Sequence, residues 1–175
     1  MTIEKRIATE IRAEGRKLTG YAATFNTETR ILDFHEKIAP GAFAASLRSN
    51  PDILALVDHD PSRVLARTKS GTLRLSEDER GLKFELDVPD TSAGRDVLAL
   101  AARGDLGGMS FGFTVPDGGD SWAGDKRELR NVVLHEISVV QSFPAYGGTS
   151  VQARSRQRRT DADRRIALLE LEGVR

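Results

Sequence analysis

This chain has no cysteine, which excludes a disulfide framework, a thiol nucleophile and a thiolate metal site. The absence is compatible with a reducing cytosol. No stretch comes near the roughly 20 apolar residues that a membrane span needs. The opening Met1-Thr2-Ile3-Glu4-Lys5-Arg6 lacks the apolar segment of a signal peptide. A soluble protein made in the cytosol is therefore expected. Net charge is also missing: 26 basic residues balance 26 acidic ones, a balance that does not favour nucleic acid as a main partner. Neither an internal repeat nor a sustained heptad pattern is present.

What is there fits one domain with a tail. The chain has 175 residues, 39% apolar and 30% charged, enough for a core beneath a heavily charged surface. The overall neutrality hides an asymmetry. Residues 152–175 hold seven Arg against four acidic residues, a net of +3, so residues 1–151 carry −3. This divides the chain into a folded domain, 1–151, and an arginine-rich linker ending in a short helix or tail, 152–175. Within the tail, Asp161 to Glu172 can form a helix with Ile166 and Leu169 on its apolar face. A solvated linker is the plainer reading of that tail, and contact with nucleic acid or an acidic protein face is the alternative.

Most of the domain reads as short strands, predicting an α+β protein that is mainly β. Leu82, Phe84, Leu86 and Val88 alternate with Lys83, Glu85 and Asp87, the clearest half-buried strand of the chain. Strands are also predicted at Lys17 to Phe25, at Ile53 to Val57 and from Arg130 to Val140. Val64–Thr68 and Thr72–Leu75 flank Lys69-Ser70-Gly71 and predict a hairpin. Helices are expected at Ala42–Arg48, stopped by Asn50-Pro51, and at Ser92–Arg103. Asp90 or Ser92 is the expected cap of the second helix, and Gly104 its end. The Gly- and Asp-rich stretch Pro116 to Asp125 predicts an exposed, mobile loop.

Three residues carry candidate chemistry. Ser110 lies in Met109-Ser110-Phe111-Gly112-Phe113. Alternation puts the bulky side chains on one face, and Ser110 beside Gly112 and Thr114 on the other. Small neighbours leave room for a substrate backbone, and activation of the hydroxyl needs an adjacent base. Taken alone, Ser110 is also compatible with an ordinary strand serine. His59, in Asp58-His59-Asp60-Pro61 at the end of a buried-looking strand, is the candidate base; a turn histidine between solubilising aspartates is the plain alternative. Glu136 sits in an apolar stretch, where a carboxylate needs a partner. It can orient an imidazole or form a structural ion pair. His135 adjoins it but should point to the opposite face, and His35 has no comparable setting. No zinc-type spacing accompanies His59-Asp60, and Gly104-Asp105-Leu106-Gly107-Gly108 precedes a strand rather than a helix, so neither a metal nor a phosphate loop is expected. No cofactor is expected either.

Several segments, in order, resemble the prohead proteases of tailed bacteriophages, the serine proteases of capsid maturation. They are Gly20-Tyr21-Ala22-Ala23-Thr24-Phe25-Asn26, Ile38-Ala39-Pro40-Gly41-Ala42-Phe43, Asp58-His59-Asp60-Pro61, Gly71-Thr72-Leu73-Arg74-Leu75 and Asp87-Val88-Pro89-Asp90-Thr91. Met109-Ser110-Phe111-Gly112-Phe113 and Glu136-Ile137-Ser138-Val139-Val140 follow, then Pro144-Ala145-Tyr146. The resemblance runs from about residue 17 to residue 150. It implies a β-barrel-like core with flanking helices, as in the herpesvirus assemblins. It also implies Ser110 as nucleophile, His59 as general base and Glu136 as third member, where assemblins use a second histidine, so His135 stays a rival. The implied substrates are the scaffold segment of the major capsid protein, a separate scaffold protein and the protease itself, cleaved inside the procapsid in the bacterial cytoplasm. Self-association would accompany that setting. A non-catalytic capsid scaffold or assembly protein of the same fold is the alternative function.

Overall fold

The computed structural model describes residues 3–8, 11–49 and 52–141. The strands are β1 (Glu4–Ala8), β2 (Ile11–Glu14), β3 (Lys17–Thr24), β4 (Thr29–Ile31) and β5 (Phe34–Ile38), followed by helix α1 (Ala44–Ser49). Next come β6 (Leu54–Val57), β7 (Asp60–Arg67), β8 (Leu73–Glu77) and β9 (Gly81–Asp87), then helix α2 (Ser92–Arg103). The chain continues with β10 (Gly108–Thr114), β11 (Asp120–Ala123), β12 (Lys126–Leu129) and β13 (Val133–Val140). The protein is mainly β, as the sequence predicts.

The strands form three sheets: β1-β10-β13-β6-β7, β11-β12-β5-β4 and β2-β3-β9-β8. Each is open among the described residues, so the barrel-like core implied by the resemblance is not drawn by one closed ladder. One core joins them. It takes Met109, Phe111 and Phe113 from β10, Leu134, Ile137 and Val139 from β13, and Leu82, Phe84 and Leu86 from β9. Phe43, just before α1, meets Phe111 edge-on at 5.5 Å. Helix α1 is fastened by Ser46, whose Oγ accepts the Leu134 N–H at 2.8 Å.

The local code is obeyed where packing and pattern agree. Alternate residues Leu82, Phe84 and Leu86 of β9 are fully buried, as their period requires. Helix α2 has the predicted bounds and ends at Gly104 in the left-handed region (φ 74°). Its cap is Thr91, whose hydroxyl accepts from Gly94 N–H, rather than Asp90 or Ser92.

Further expectations are corrected. The segments around Lys69-Ser70-Gly71 do not form a hairpin: β7 pairs with β6, while β8 pairs with β9. The turn is a 3₁₀ turn that hands the chain from one sheet to another. The stretch Pro116 to Asp125 is not a plain loop, because β11 and β12 form a hairpin across Gly124-Asp125, with Gly124 at φ 64°. Glycine at the first central position suits such a two-residue turn. The predicted strand from Arg130 thus begins only at Val133. The Asn50-Pro51 stop, the Pro144-Ala145-Tyr146 match and the 152–175 tail lie outside the described residues.

Candidate active site

Three adjacent strands of the five-stranded sheet supply the site. Ser110 is on β10 and Glu136 is on β13. His59 lies just past β6, which runs parallel to β13. The antiparallel register sets Gly112 opposite Glu136 and Ser110 opposite Ser138. Directly opposed residues share a face, so these four form one patch, turned away from Phe111 and Ile137 in the core.

A bulge aligns this patch. Gly112 pairs with Glu136 and Phe113 with Leu134, so His135 is the extra residue of β13. Strict alternation would put Leu134 and Glu136 on the same face. The inserted residue shifts the phase, so that Leu134 joins the core while Glu136 stays on the patch. His135 is carried elsewhere: its Nε2 is hydrogen-bonded with Thr114 Oγ1 at 3.0 Å.

His59 is presented by a tight turn. Val57 pairs with Asp60, and the two residues between them, Asp58 and His59, both have positive φ (51° and 60°). That is the backbone of a type I′ hairpin turn. Residues other than glycine adopt it at a cost of about 1–3 kcal/mol each, so surrounding contacts must hold it. Asp58 N–H donates to Val139 O at 2.9 Å, and Gln141 N–H donates to Asp58 Oδ1 at 2.9 Å.

The His59 ring and the Glu136 carboxylate meet: Nδ1 lies 2.7 Å from Oε1. An ionised carboxylate only accepts, so Nδ1 carries the hydrogen and Nε2 keeps the lone pair needed by a base. Ser138, fully buried, donates from Oγ to Glu136 Oε2 at 2.6 Å and accepts the His59 N–H at 3.1 Å. Gly112 makes room for the carboxylate, since a Cβ there would stand 2.3 Å from Glu136 Oε1.

Ser110 stands apart from this network. It is fully buried, and among the described residues its Oγ is the one buried side-chain oxygen or nitrogen without a hydrogen-bond partner. Leaving a buried hydroxyl unpaired costs about 1–3 kcal/mol, a penalty for which packing offers no return. Its burial departs from the expected open face: β10, an inner strand between β1 and β13, is buried along its whole length, on both faces.

The structure thus brings His59 and Glu136 into contact and places Ser110 one strand from Glu136, with no hydrogen bond from Ser110 to either. Ser138 was not among the residues the sequence singled out. The available signal was alternation, which puts it two residues after Glu136 on the same face. No group of three or more His, Asp or Glu among the described residues is arranged to hold a metal ion.

The family model of the caudovirus prohead serine protease matches residues 3–163. The chain belongs to that family. The prohead protease of Enterobacteria phage HK97 is 33% identical over 128 residues, covering 72% of this chain and 54% of that protein. The chain therefore spans about half the length of this prohead protease relative. No solved structure matches it. No helix among the described residues is long and apolar enough to cross a membrane.

Proposed function

We propose that this chain is a serine endopeptidase of prohead maturation, with Ser110 as nucleophile, His59 as general base and Glu136 as the acid that orients the base. The observation that carries the assignment is the pairing of His59 Nδ1 with Glu136 at 2.7 Å, one strand from a buried serine hydroxyl with no partner. Glu136 fixes the tautomer and stabilises the imidazolium formed when His59 takes the Ser110 proton. Ser110 attacks a peptide carbonyl, the amine leaves with a proton returned by His59, and water releases the acyl-enzyme. Because Ser110 is buried, the substrate must displace whatever covers it before attack. Catalytic contacts commonly tighten only in the substrate complex. The contact of His135 with Thr114 rather than His59 favours Glu136 over its neighbour as third member.

Membership of the prohead protease family supports the scaffold segment of the major capsid protein, a scaffold protein and the protease itself as substrates. It likewise supports action inside the procapsid, self-association, and a core related to that of the herpesvirus assemblins. The deciding experiment is Ser110→Ala. Cleavage of capsid protein should disappear while the melting temperature holds or rises, since the unpaired hydroxyl is removed, and a serine-directed phosphonate should label wild type but neither Ser110→Ala nor His59→Ala. Full cleavage by Ser110→Ala would remove Ser110 as the nucleophile, whereas a wild type that neither cleaves capsid protein nor takes the phosphonate would favour the non-catalytic assembly reading.

A further inference from the structure

Ser138 closes a ring of hydrogen bonds around His59. Its Oγ accepts from the His59 backbone N–H at 3.1 Å and donates to Glu136 Oε2 at 2.6 Å. The other carboxylate oxygen, Oε1, returns to the His59 ring at Nδ1, 2.7 Å away. One hydroxyl therefore ties the main chain of the candidate base to the carboxylate that aims its side chain. A serine hydroxyl has a single hydrogen to donate, and Ser138 spends it on Glu136. Ser138 and Ser110 lie opposite each other in the β10–β13 ladder and are both fully buried. One is bonded on both sides and the other on neither, so their roles differ.

We propose that Ser138 is a positioning residue for proteolysis, acting through His59 and Glu136 without touching the substrate. The proposal rests on the reading of Ser110, His59 and Glu136 given above. The turn that carries His59 has positive φ at both central residues. The His59 ring reaches Glu136 directly, and Ser138 adds the link from the turn's backbone to the same carboxylate. Without the hydroxyl, Glu136 Oε2 loses its donor and the His59 N–H loses its acceptor. The carboxylate is then held by the His59 ring alone, and the imidazole loses the fixed direction that proton transfer requires. Misplacement of a catalytic group by about 1 Å can cost 10²-fold in rate.

The experiment measures kcat and KM on capsid protein for Ser138→Ala and Ser138→Thr, normalised to the number of sites a phosphonate labels at completion. For Ser138→Ala, kcat per labelled site should fall roughly 10- to 100-fold with KM almost unchanged. Labelling should slow in parallel yet reach the wild-type end point. Ser138→Thr keeps the hydroxyl and should recover most of the rate. A residue that merely pinned the turn would lower the number of labelled sites and leave kcat per site at the wild-type value. That result, or a threonine variant as slow as the alanine one, overturns the proposal. Ser138→Cys keeps the volume with a weak donor, and gives the same comparison if the alanine variant does not fold. The underlying assignment fails separately, through a wild type that the phosphonate does not label at Ser110.

Discussion

Two buried clusters of charged and polar side chains sit in this fold, and they solve the same problem differently. The first joins Glu4 and Arg6 of β1 to Glu36 of β5, Arg127 of β12 and Asp120 of β11. Arg6 donates to Glu4 Oε2 at 2.9 Å, and to Glu36 Oε1 and Oε2 at 2.5 and 2.7 Å. Arg127 donates to both oxygens of Glu4, to Glu36 Oε2 at 3.1 Å and to Asp120 Oδ2 at 2.7 Å. Every carboxylate oxygen of Glu4 and Glu36 is used, and Arg6 also lies over the Phe113 ring at 5.3 Å. This knot ties the five-stranded sheet to the β11-β12-β5-β4 sheet. The second cluster is the His59–Glu136–Ser138 ring, beside which Ser110 Oγ is left without a partner. Saturation is what structural ion clusters need, since a buried unpaired charge is expensive. A buried group left unsatisfied beside a poised base is what chemistry needs. The difference separates a staple from a candidate active site without reference to sequence motifs.

Breaking each cluster should separate activity from stability. The largest effect belongs to the ring. His59→Ala should lower kcat by about 10³- to 10⁴-fold, and Glu136→Gln by a comparable factor through the wrong imidazole tautomer. Glu136→Gln, which leaves no buried charge without a partner, should melt within a few degrees of wild type, whereas His59→Ala leaves the Glu136 carboxylate with Ser138 alone and should lose some stability as well. The knot should behave in the opposite sense. Glu36→Ala leaves two guanidiniums short of a buried partner and should cost roughly 3–5 kcal/mol of folding free energy. Urea titration reads that loss, while kcat per folded molecule should stay at the wild-type value. A knot variant that folds normally but fails in catalysis would erase the distinction.

How far each cluster was legible in the sequence follows from the length scale of its contacts. Alternation in β9 and the glycine stop of α2 are local signals, and both read correctly. The Lys69-Ser70-Gly71 turn was local too, but the partners of β7 and β8 lie elsewhere in the chain, and turn chemistry says nothing about them. The knot was invisible for the same reason: Glu4 and Arg127 are 123 residues apart, and each reads as an ordinary surface charge. His59 and Glu136 were nameable one by one, because a carboxylate among Val, Leu and Ile asks for a partner. Their contact needed the parallel pairing of β13 with β6 and a bulge at His135, neither of which the pattern announces. Ser138, between Ile137 and Val139, has no local signal beyond its alternation with Glu136.

Gly112 gives a smaller test that probes the ring alone. A Cβ at this position would stand 2.3 Å from Glu136 Oε1 and 3.1 Å from its carboxyl carbon. A flexible carboxylate could swing aside cheaply, but this one is held by His59 and Ser138. Gly112→Ala should therefore cost about 1–3 kcal/mol of stability through overpacking. It should also reduce kcat about tenfold, by pushing the carboxylate off the imidazole. In a Glu136→Gln background the same substitution should cause little further loss of rate, because the interaction it disturbs is already gone. Additive losses in that cycle would place the effect of Gly112 outside the ring.

The smallest effect concerns pH and the knot. Burial pushes the Glu4 carboxyl up, but hydrogen bonding and charge from Arg127, with those of Arg6, outweigh it and hold the group below its ordinary value of 4.5. A carboxylate whose folded value is depressed binds its proton more readily in the unfolded chain, so folding is favoured while the pH stays above the unfolded value. The contribution of Glu4 should be fully present above about pH 4.5 and fade as the pH falls through the lower folded value. Glu4→Gln removes this titration. The difference in urea midpoint between wild type and Glu4→Gln should thus be constant near neutrality and shrink on acidification below the ordinary carboxylate value. A difference that stayed constant on acidification would mean that the charge of Glu4 contributes nothing to the staple. The contrast between the clusters would then rest on Glu36 and Asp120 with Arg6 and Arg127.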